Sequence, residues 1–412
     1  MTTPHHTQWA TEILAQLKPA NGDGVVVYGN DAGEYLEALR NQHYGPSGIW
    51  GVVALAQIAG TLHDGTSLHL AAIPGAIESD RDGFEAAQAK LQNVLNDAKI
   101  GRKTRKLRGK EWANNAMANV KHFASCRPMY DLRGRAAGAP VFIVSAGPSL
   151  DKNVHLLARA REHGYVIAVN HALKSLVRAG VRPHLVITSE GKHVDAHFAG
   201  VPPEYYSHHI ITGCALPALF DLPYTTRWVA RVPDDATSAT ILHAMGDDVL
   251  VHAGWGVSNM AFRIAQIMGA AAIVLVGQDL ALSGGRVYAT GADRDNETAD
   301  DLTDSTLMVK RWDGGAVQTT ATLNTQRRWF EDRIREWRGV VFNATEGGAH
   351  VAGAEHLLLE DVFDCLPTCP PAPLPTGPLN EDVRTKKLKA LALAWKRQGG
   401  PIDLLSALDP KQ

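Results

Sequence analysis

A parallel α/β fold is predicted by three observations on this 412-residue chain. Over residues 140–364, short apolar runs alternate with helix-forming stretches, the cadence of βαβ crossovers, and such crossovers cover a parallel sheet on both faces. Those apolar runs end repeatedly in polar or glycine-bearing turns, and ligands of open parallel sheets bind beyond the carboxyl ends of the strands. The composition, 45% hydrophobic and 20% charged, is that of a folded chain, and at about 100 to 200 residues per domain the length predicts two or three domains.

The elements follow in chain order. Val25-Val26-Val27-Tyr28 running into Gly29 predicts a strand, residues 34–40 a helix, and residues 50–55 and 68–73 two further strands, together a small N-terminal α/β unit. Residues 84–130 are helical in character. Within them, residues 99–110 carry seven basic side chains, either a solvated face or a local contact for an acidic ligand. The regular region opens with a strand at 141–144, a helix to about 163, a strand at 165–169, a helix at 172–178 closed by Gly180, and a strand at 185–188. Residues 248–252, 258–268 and 272–276 repeat strand, helix, strand. Six prolines within residues 367–378 read as a linker, and residues 386–397 form a basic amphipathic helix with Leu388, Leu391 and Trp395 on one face. The domain division expected is 1–118, 119–365 and 366–412.

Charge and composition exclude several classes. Forty-one Lys and Arg against forty-three Asp and Glu give a net charge of -2, so no chain-wide basic field exists to hold nucleic acid. Residues 1–9 lack Lys and Arg, and the longest near-apolar stretch, 267–277, is well short of the roughly 20 residues a membrane span needs. No membrane span and a cytoplasmic location are therefore expected. Cys126, Cys214, Cys365 and Cys369 are too few and too scattered for a disulfide scaffold.

The chemistry concentrates at strand ends. Gly147-Pro148-Ser149 lies where a strand turns into a helix; its backbone N–H groups are placed to meet a phosphate, or Ser149 is an N-cap. Asn170 and Ser189-Glu190 end the next two strands and would form one wall of a crevice. Gly256, Ser258 and Asn259, in a second glycine-bearing turn, would form another. Gln278-Asp279 follows the strand at 272–276 and leads into a polar loop containing Tyr288; Glu346 and His350 lie beyond the strand at 340–342. His193 and His197 have the i, i+4 spacing of a metal face, but the His-Glu-x-x-His motif is absent. Neither Gly-x-x-x-x-Gly-Lys-Ser/Thr nor Gly-x-Gly-x-x-Gly occurs, which removes the main support for an ordinary ATPase or dinucleotide enzyme.

Five ordered motifs resemble the motility accessory factor (Maf) family, whose members carry the MptE-like domain of unknown function 115. They are Val-Phe-Ile-Val-Ser-Ala-Gly-Pro-Ser-Leu-Asp (141–151), Ala-Val-Asn-His-Ala-Leu (168–173), Gly-Val-Arg-Pro-His-Leu-Val-Ile-Thr-Ser-Glu (180–190), Gly-Gln-Asp-Leu-Ala-Leu-Ser-Gly-Gly (277–285) and Asn-Ala-Thr-Glu-Gly-Gly-Ala (343–349). The resemblance implies a Rossmann-like parallel sheet with a sialyltransferase-like central domain, beside the smaller N-terminal α/β unit and the C-terminal helix. It implies a glycosyltransferase moving a nonulosonic acid from a CMP-sugar donor to a hydroxyl of a protein or glycan, flagellin-type, with no required cofactor. Gly147, Pro148, Ser149 and Asn170 would then hold CMP, Ser189 and Glu190 the ribose or base, and Gly256, Ser258 and Asn259 the cytidine side, with Gln278 nearby. Tyr288 would steady the leaving phosphate. Residues 319–328 contain no histidine where sialyltransferases have their base, which leaves Asp279, Glu346 and His350 as candidates. The same domain occurs in an archaeal 6-hydroxymethylpterin diphosphokinase, which would use ATP and magnesium held by Asp151, Asp279 and Glu346. A non-catalytic nucleotide-sugar binding or assembly protein is the third reading.

Overall fold

A computed structural model describes residues 3–17, 24–29, 33–42, 49–51, 68–189, 192, 194–292, 305–376, 379 and 381–397. The chain divides into two compact units, residues 1–108 and 109–412. In the first, helix α1 (Pro4–Leu17) precedes strand β1 (Gly24–Tyr28), helix α2 (Gly33–Gln42), strand β2 (Ile49–Gly51) and strand β3 (Leu68–Ala72). The three strands form a parallel sheet in the order β2-β1-β3, with Val26 opposite Trp50 and Leu70. Trp9, Val25, Val27, Leu39 and Ala71 make its core. The strand expected over 50–55 is described only to Gly51. Short helix α3 (Ala76–Ser79) and long helix α4 (Arg81–Asn119) follow, and the basic run 99–110 lies on α4.

The second unit is built on a nine-stranded sheet in which every strand pair is parallel. Its strands are β4 (Arg127–Pro128), β5 (Pro140–Val144), β6 (Tyr165–Val169), β7 (Leu185–Thr188), β8 (His208–Thr212), β9 (Thr226–Ala230), β10 (Ala272–Val276), β13 (Val340–Asn343) and β14 (Glu355–His356). Strands β11 (Thr306–Lys310) and β12 (Ala316–Thr320) form a separate antiparallel hairpin. The order across the large sheet is β14-β13-β10-β5-β6-β7-β8-β9-β4. Strands β5, β6, β9 and β10 are buried at every residue, as a sheet covered on both faces requires. Helices α5 (Leu150–Asn153), α6 (Leu157–His163), α7 (Leu173–Arg178), α8 (Ala236–Ala244), α9 (Val257–Ile267), α10 (Ala321–Glu336) and α11 (Leu359–Cys365) flank it, with α9 lying across β5, β6 and β7.

Three expected elements change. The helical region expected over 84–130 ends at Asn119, and Arg127–Pro128 pairs with β9 as edge strand β4. The helix expected from 150 to 163 is broken into α5, a 3₁₀ turn at Val154–Leu156 and α6. Asn153 leaves the helical region, at φ -130°, because its amide donates to Ala344 O at 2.9 Å and Glu346 Oε1 at 3.1 Å. The strand expected over 248–252 reduces to one parallel bridge, Leu250 with Arg231. Asp247 accepts there from Val249 N and from Met129 N, which bends the segment away from a continuous ladder. The C-terminal helix α12 (Glu381–Arg397) docks on its own unit: Leu388 and Ala392 are buried in a cluster with Phe123, Phe220 and Met245, with Leu391 and Trp395 packed at its margin.

Candidate functional site

Strand β5 is the switch point of the sheet. The chain runs from β5 through β6, β7, β8 and β9 on one side, then returns to build β10, β13 and β14 on the other. The chain leaves β5 and β10 toward opposite sides of this point, the usual ligand position in such sheets, and here the two loops are also bonded to each other. The segment after β5 is Ser145 to Ser149, that after β6 is Asn170 to Ala172, that after β10 is Gly277 to Asp279, and that after β13 is Ala344 to Ala349.

Asp279 is the hub on the β10 side. Its carboxylate, 2% exposed, accepts from Ser149 Oγ at 2.5 Å, from Ser149 N at 3.2 Å and from Ser283 Oγ at 2.6 Å. Its carbonyl accepts from Ala349 N at 2.7 Å. Burial pushes its pKa upward, opposed by the hydrogen bonds from Ser149 and Ser283 and by the Lys152 charge. Gly147 must be glycine here: a Cβ would fall 2.2 Å from Asp279 Oδ2 and 2.6 Å from Gly277 O. Gly147 N donates to Gly277 O at 2.8 Å. The expected phosphate cradle is thus occupied from within the chain. Pro148 has no N–H, Gly147 N and Ser149 N already have acceptors, and the close approach that Gly147 permits is to a carboxylate of the same protein. Gln278 joins the same knot, accepting from Ser145 Oγ at 2.6 Å while its N–H donates to Thr345 Oγ1 at 3.1 Å.

The β6 side holds a different set. Asn170, 1% exposed, donates from Nδ2 to His197 Nδ1 at 2.6 Å, while its Oδ1 is buried with no hydrogen-bond partner. The His197 ring lies 4.0 Å from that of His171, centroid to centroid, and His171 stacks on Tyr288 at 5.3 Å with the planes 6° apart. Tyr288 reaches this place because its loop is tied down at several points. Ala289 N donates to Ala146 O at 2.8 Å, Arg286 Nη1 and Thr290 Oγ1 donate to Asp151 Oδ2 at 3.0 and 2.8 Å, and Ser175 Oγ donates to Thr290 O at 3.1 Å. Asn170, Tyr288 and the Gly147 turn therefore form one connected cluster. His171, His197, Ser145 and Ser283 belong to it too, none of them foreseen in this role; the polar residue immediately after β6 was the signal for His171.

The remaining candidates are placed as follows. Ser189 follows β7, the neighbour of β6, and its carbonyl accepts from Thr212 Oγ1 at 3.2 Å. Glu190 and His193 lie outside the described residues. Gly256, Ser258 and Asn259 open α9 at the carboxyl edge of the sheet, but their turn is built against α10. Gln326 Nε2 donates to Trp255 O at 3.2 Å, and Asn259 Nδ2 donates to Gln326 O at 3.3 Å. Among the described residues, no hydrogen bond joins them to Ser149 or Asn170. Glu346, at φ 61°, turns its Oε1 to Asn153 Nδ2 at 3.1 Å and Leu359 N at 2.9 Å, the latter at the start of α11. His350 stacks on His356 at 4.2 Å, and burial followed by the Lys310 charge lowers its pKa. Among the described residues no group of three His, Cys, Asp or Glu side chains is arranged to hold a metal ion, and no helix is long and apolar enough to cross a membrane.

Comparison with known proteins agrees with the motif series. Residues 114–285 match the family model described as 6-hydroxymethylpterin diphosphokinase MptE-like. The solved structure of a Maf glycosyltransferase from Magnetospirillum magneticum AMB-1 is similar over 100% of this chain and 69% of its own, with a TM-score of 0.54 and 16% identity. At that identity the likeness is one of fold. No curated protein matches the chain.

Proposed function

We propose that this protein is a glycosyltransferase that moves a nonulosonic, sialic-acid-like sugar from a CMP-sugar donor to a hydroxyl of a protein or glycan, of the flagellin type. The observation that carries it is the cluster at the β5 switch point, where Asn170, His171 and Tyr288 converge beside the Asp279-locked turn. The likeness of fold to a Maf glycosyltransferase supports the reaction class, and the MptE-like match covers β5, β6 and β10 and ends before Tyr288. Asn170 Oδ1, a buried acceptor lacking a partner, suits a ligand N–H or O–H. As the donor bond breaks, charge grows on the CMP phosphate. The Tyr288 hydroxyl would donate there, a bond stronger in the transition state than in the ground state.

The diphosphokinase named by the family model would need carboxylates gathered around magnesium. Here Asp151 is paired with Arg286 and Thr290, Asp279 with Ser149 and Ser283, and Glu346 with Asn153 and Leu359, each in its own place. This donor set does not fit a shared magnesium site.

A thermal-shift panel separates the readings. CMP or CTP raising the melting temperature supports transfer, since a ligand at 100 times its Kd adds about 2.7 kcal/mol to the folded state. A rise with ATP, magnesium and a pterin, and none with cytidine nucleotides, would replace the proposal by the kinase. CMP binding without release of CMP from a CMP-sugar would leave a binding protein. Asn170→Ala is expected to weaken CMP binding about tenfold with the fold retained.

A further inference from the structure

We propose that helix α4 carries a contact surface for a lipid bilayer with anionic headgroups, formed by Lys99, Lys103 and Lys106 beside Ile100 and Leu107. Glycosyl transfer makes no use of this segment. Residues 98–110 contain seven Lys and Arg and no Asp or Glu, in a chain whose net charge is -2. A basic field therefore exists locally, on one stretch of one helix.

Helical spacing sorts these side chains onto two sides. At about 100° per residue, Ile100 and Leu107 lie about 20° apart, and Lys103, Lys99 and Lys106 follow on one flank within about 120° of Ile100. Leu91, on the opposite side of the helix from Ile100, is buried, as are Ala87 and Val94. One side of α4 is thus packed, and the side bearing Ile100 and the lysines is not. Ile100 is 43% exposed and Leu107 72%, and Lys99, Lys103 and Lys106 are exposed as well. Among the described residues, none of these three lysines has a hydrogen bond or an ion pair. Arg102 and Arg105 turn toward the packed side, and each has an interaction within the protein.

Two chemistries on one face choose the partner. Exposed lysines alone fit any polyanion. Aliphatic side chains as exposed as Leu107 find a counterpart in the acyl boundary of a bilayer, whose anionic headgroups meet the lysines. With Ile100 and Leu107 set into that boundary, the flanking lysines reach the headgroup phosphates on their flexible stems. Residues 99–110 hold no Phe, Tyr, Trp or His to stack on bases, the usual partners of basic residues on single-stranded nucleic-acid surfaces. The contact lies on the bilayer and does not span it: among the described residues no helix is long and apolar enough to cross.

The test is cosedimentation of the full chain with vesicles of phosphatidylcholine alone and of an equimolar mixture with phosphatidylglycerol. Neither sugar donor nor acceptor is present, so the outcome is separate from that of the transferase reading. Wild type is expected to sediment with the anionic vesicles at least about tenfold more strongly than with the neutral ones. Salt raised from about 0.05 M to about 0.5 M should release it, because screening shortens the reach of the lysine charges. Each lysine near an anionic surface is worth about fivefold in partitioning, so Lys99→Ala, Lys103→Ala and Lys106→Ala together should lower binding about 100-fold. Leu107→Ser should lower it about tenfold at unchanged net charge. All four positions are exposed, so the melting temperature should hardly move. Wild type that ignores anionic vesicles overturns the proposal, as does a triple variant binding within about twofold of wild type. An equal loss in Lys389→Ala with Lys396→Ala, on α12, would reduce the effect to general charge and also overturn it. If Leu107→Ser keeps full binding and wild type binds poly-glutamate as tightly as vesicles, the partner is an acidic polymer and the lipid assignment falls.

Discussion

At the scale of single residues, Asp279 has the most consequence. It reads in sequence as a carboxylate after a buried strand, equally suited to structure or to a ligand, and the structure gives it three hydrogen bonds from two serines. Asp279→Ala would strand the buried donors of Ser149 and the half-buried hydroxyl of Ser283, at about 1–3 kcal/mol for each buried group left unsatisfied. The urea midpoint should fall accordingly. Gly147→Ala should also destabilise, because the new Cβ meets the same carboxylate at 2.2 Å. The two substitutions should be less than additive in a double-mutant cycle, since removing the carboxylate removes the nearer obstacle. Strict additivity would mean that the Gly277 carbonyl, at 2.6 Å, is the obstacle that matters.

At the scale of elements, the buried parallel strands were legible where they are purely apolar and obscure where a polar residue interrupts them. Strands β5, β6 and β10 read plainly as Val-Phe-Ile-Val, Tyr-Val-Ile-Ala-Val and Ala-Ile-Val-Leu-Val. Strands β8 and β9 did not, because His209 and Arg227 break the pattern. Both are nonetheless buried in the sheet, His209 bonded to Thr188 Oγ1 at 3.0 Å and Arg227 held by the carbonyls of Phe220, Leu219 and Leu222 and stacked on Tyr224 at 3.7 Å. The His209 partner lies on the neighbouring strand and those of Arg227 on the turn just before β9, so strand periodicity does not announce either. The C-terminal helix is the opposite case, since the spacing of Leu388, Leu391 and Trp395 already marks one apolar face. Leu388 is 1% exposed, so Leu388→Ala should cost about 2–4 kcal/mol, whereas Leu393→Ala, at a position 49% exposed, should be nearly neutral. Equal effects in a denaturation series would mean that α12 is not docked in solution.

At the scale of the whole molecule, stability should fall in mild acid. Burial lowers the pKa of His184 and His356 to about 4 and that of His209 to about 3. Each is more readily protonated in the unfolded chain, so its contribution is complete above pH 6.5 and is lost as the pH falls toward 4. Asp247 acts in the other direction: burial raises its pKa to about 6, so its contribution grows as the pH falls from above 6 toward its ordinary value near 4. His122, His208, His252 and His350 are shifted the same way as these three imidazoles, and Asp235 and Asp279 the same way as Asp247. Seven imidazoles against three carboxyls predict a lower melting temperature at pH 4.5 than at pH 7, and a larger drop in Asp247→Asn, which lacks one opposing group. A flat profile from pH 7 to 4.5 would mean that these histidines are hydrated. The sequence by itself determined the parallel α/β class, the position of chemistry at strand ends and the kinship of the motif series, because apolar runs and turn residues act locally and survive in one dimension. Only the tertiary structure decided the strand order that makes β5 the switch point, the donors that fill the Gly147 turn with Asp279, and the meeting of His171, His197 and Tyr288. Those depend on segments far apart in sequence, Ser149 and Asp279 or His171 and Tyr288 more than a hundred residues apart, being brought within hydrogen-bond or stacking distance by the sheet, and no local pattern encodes such a meeting.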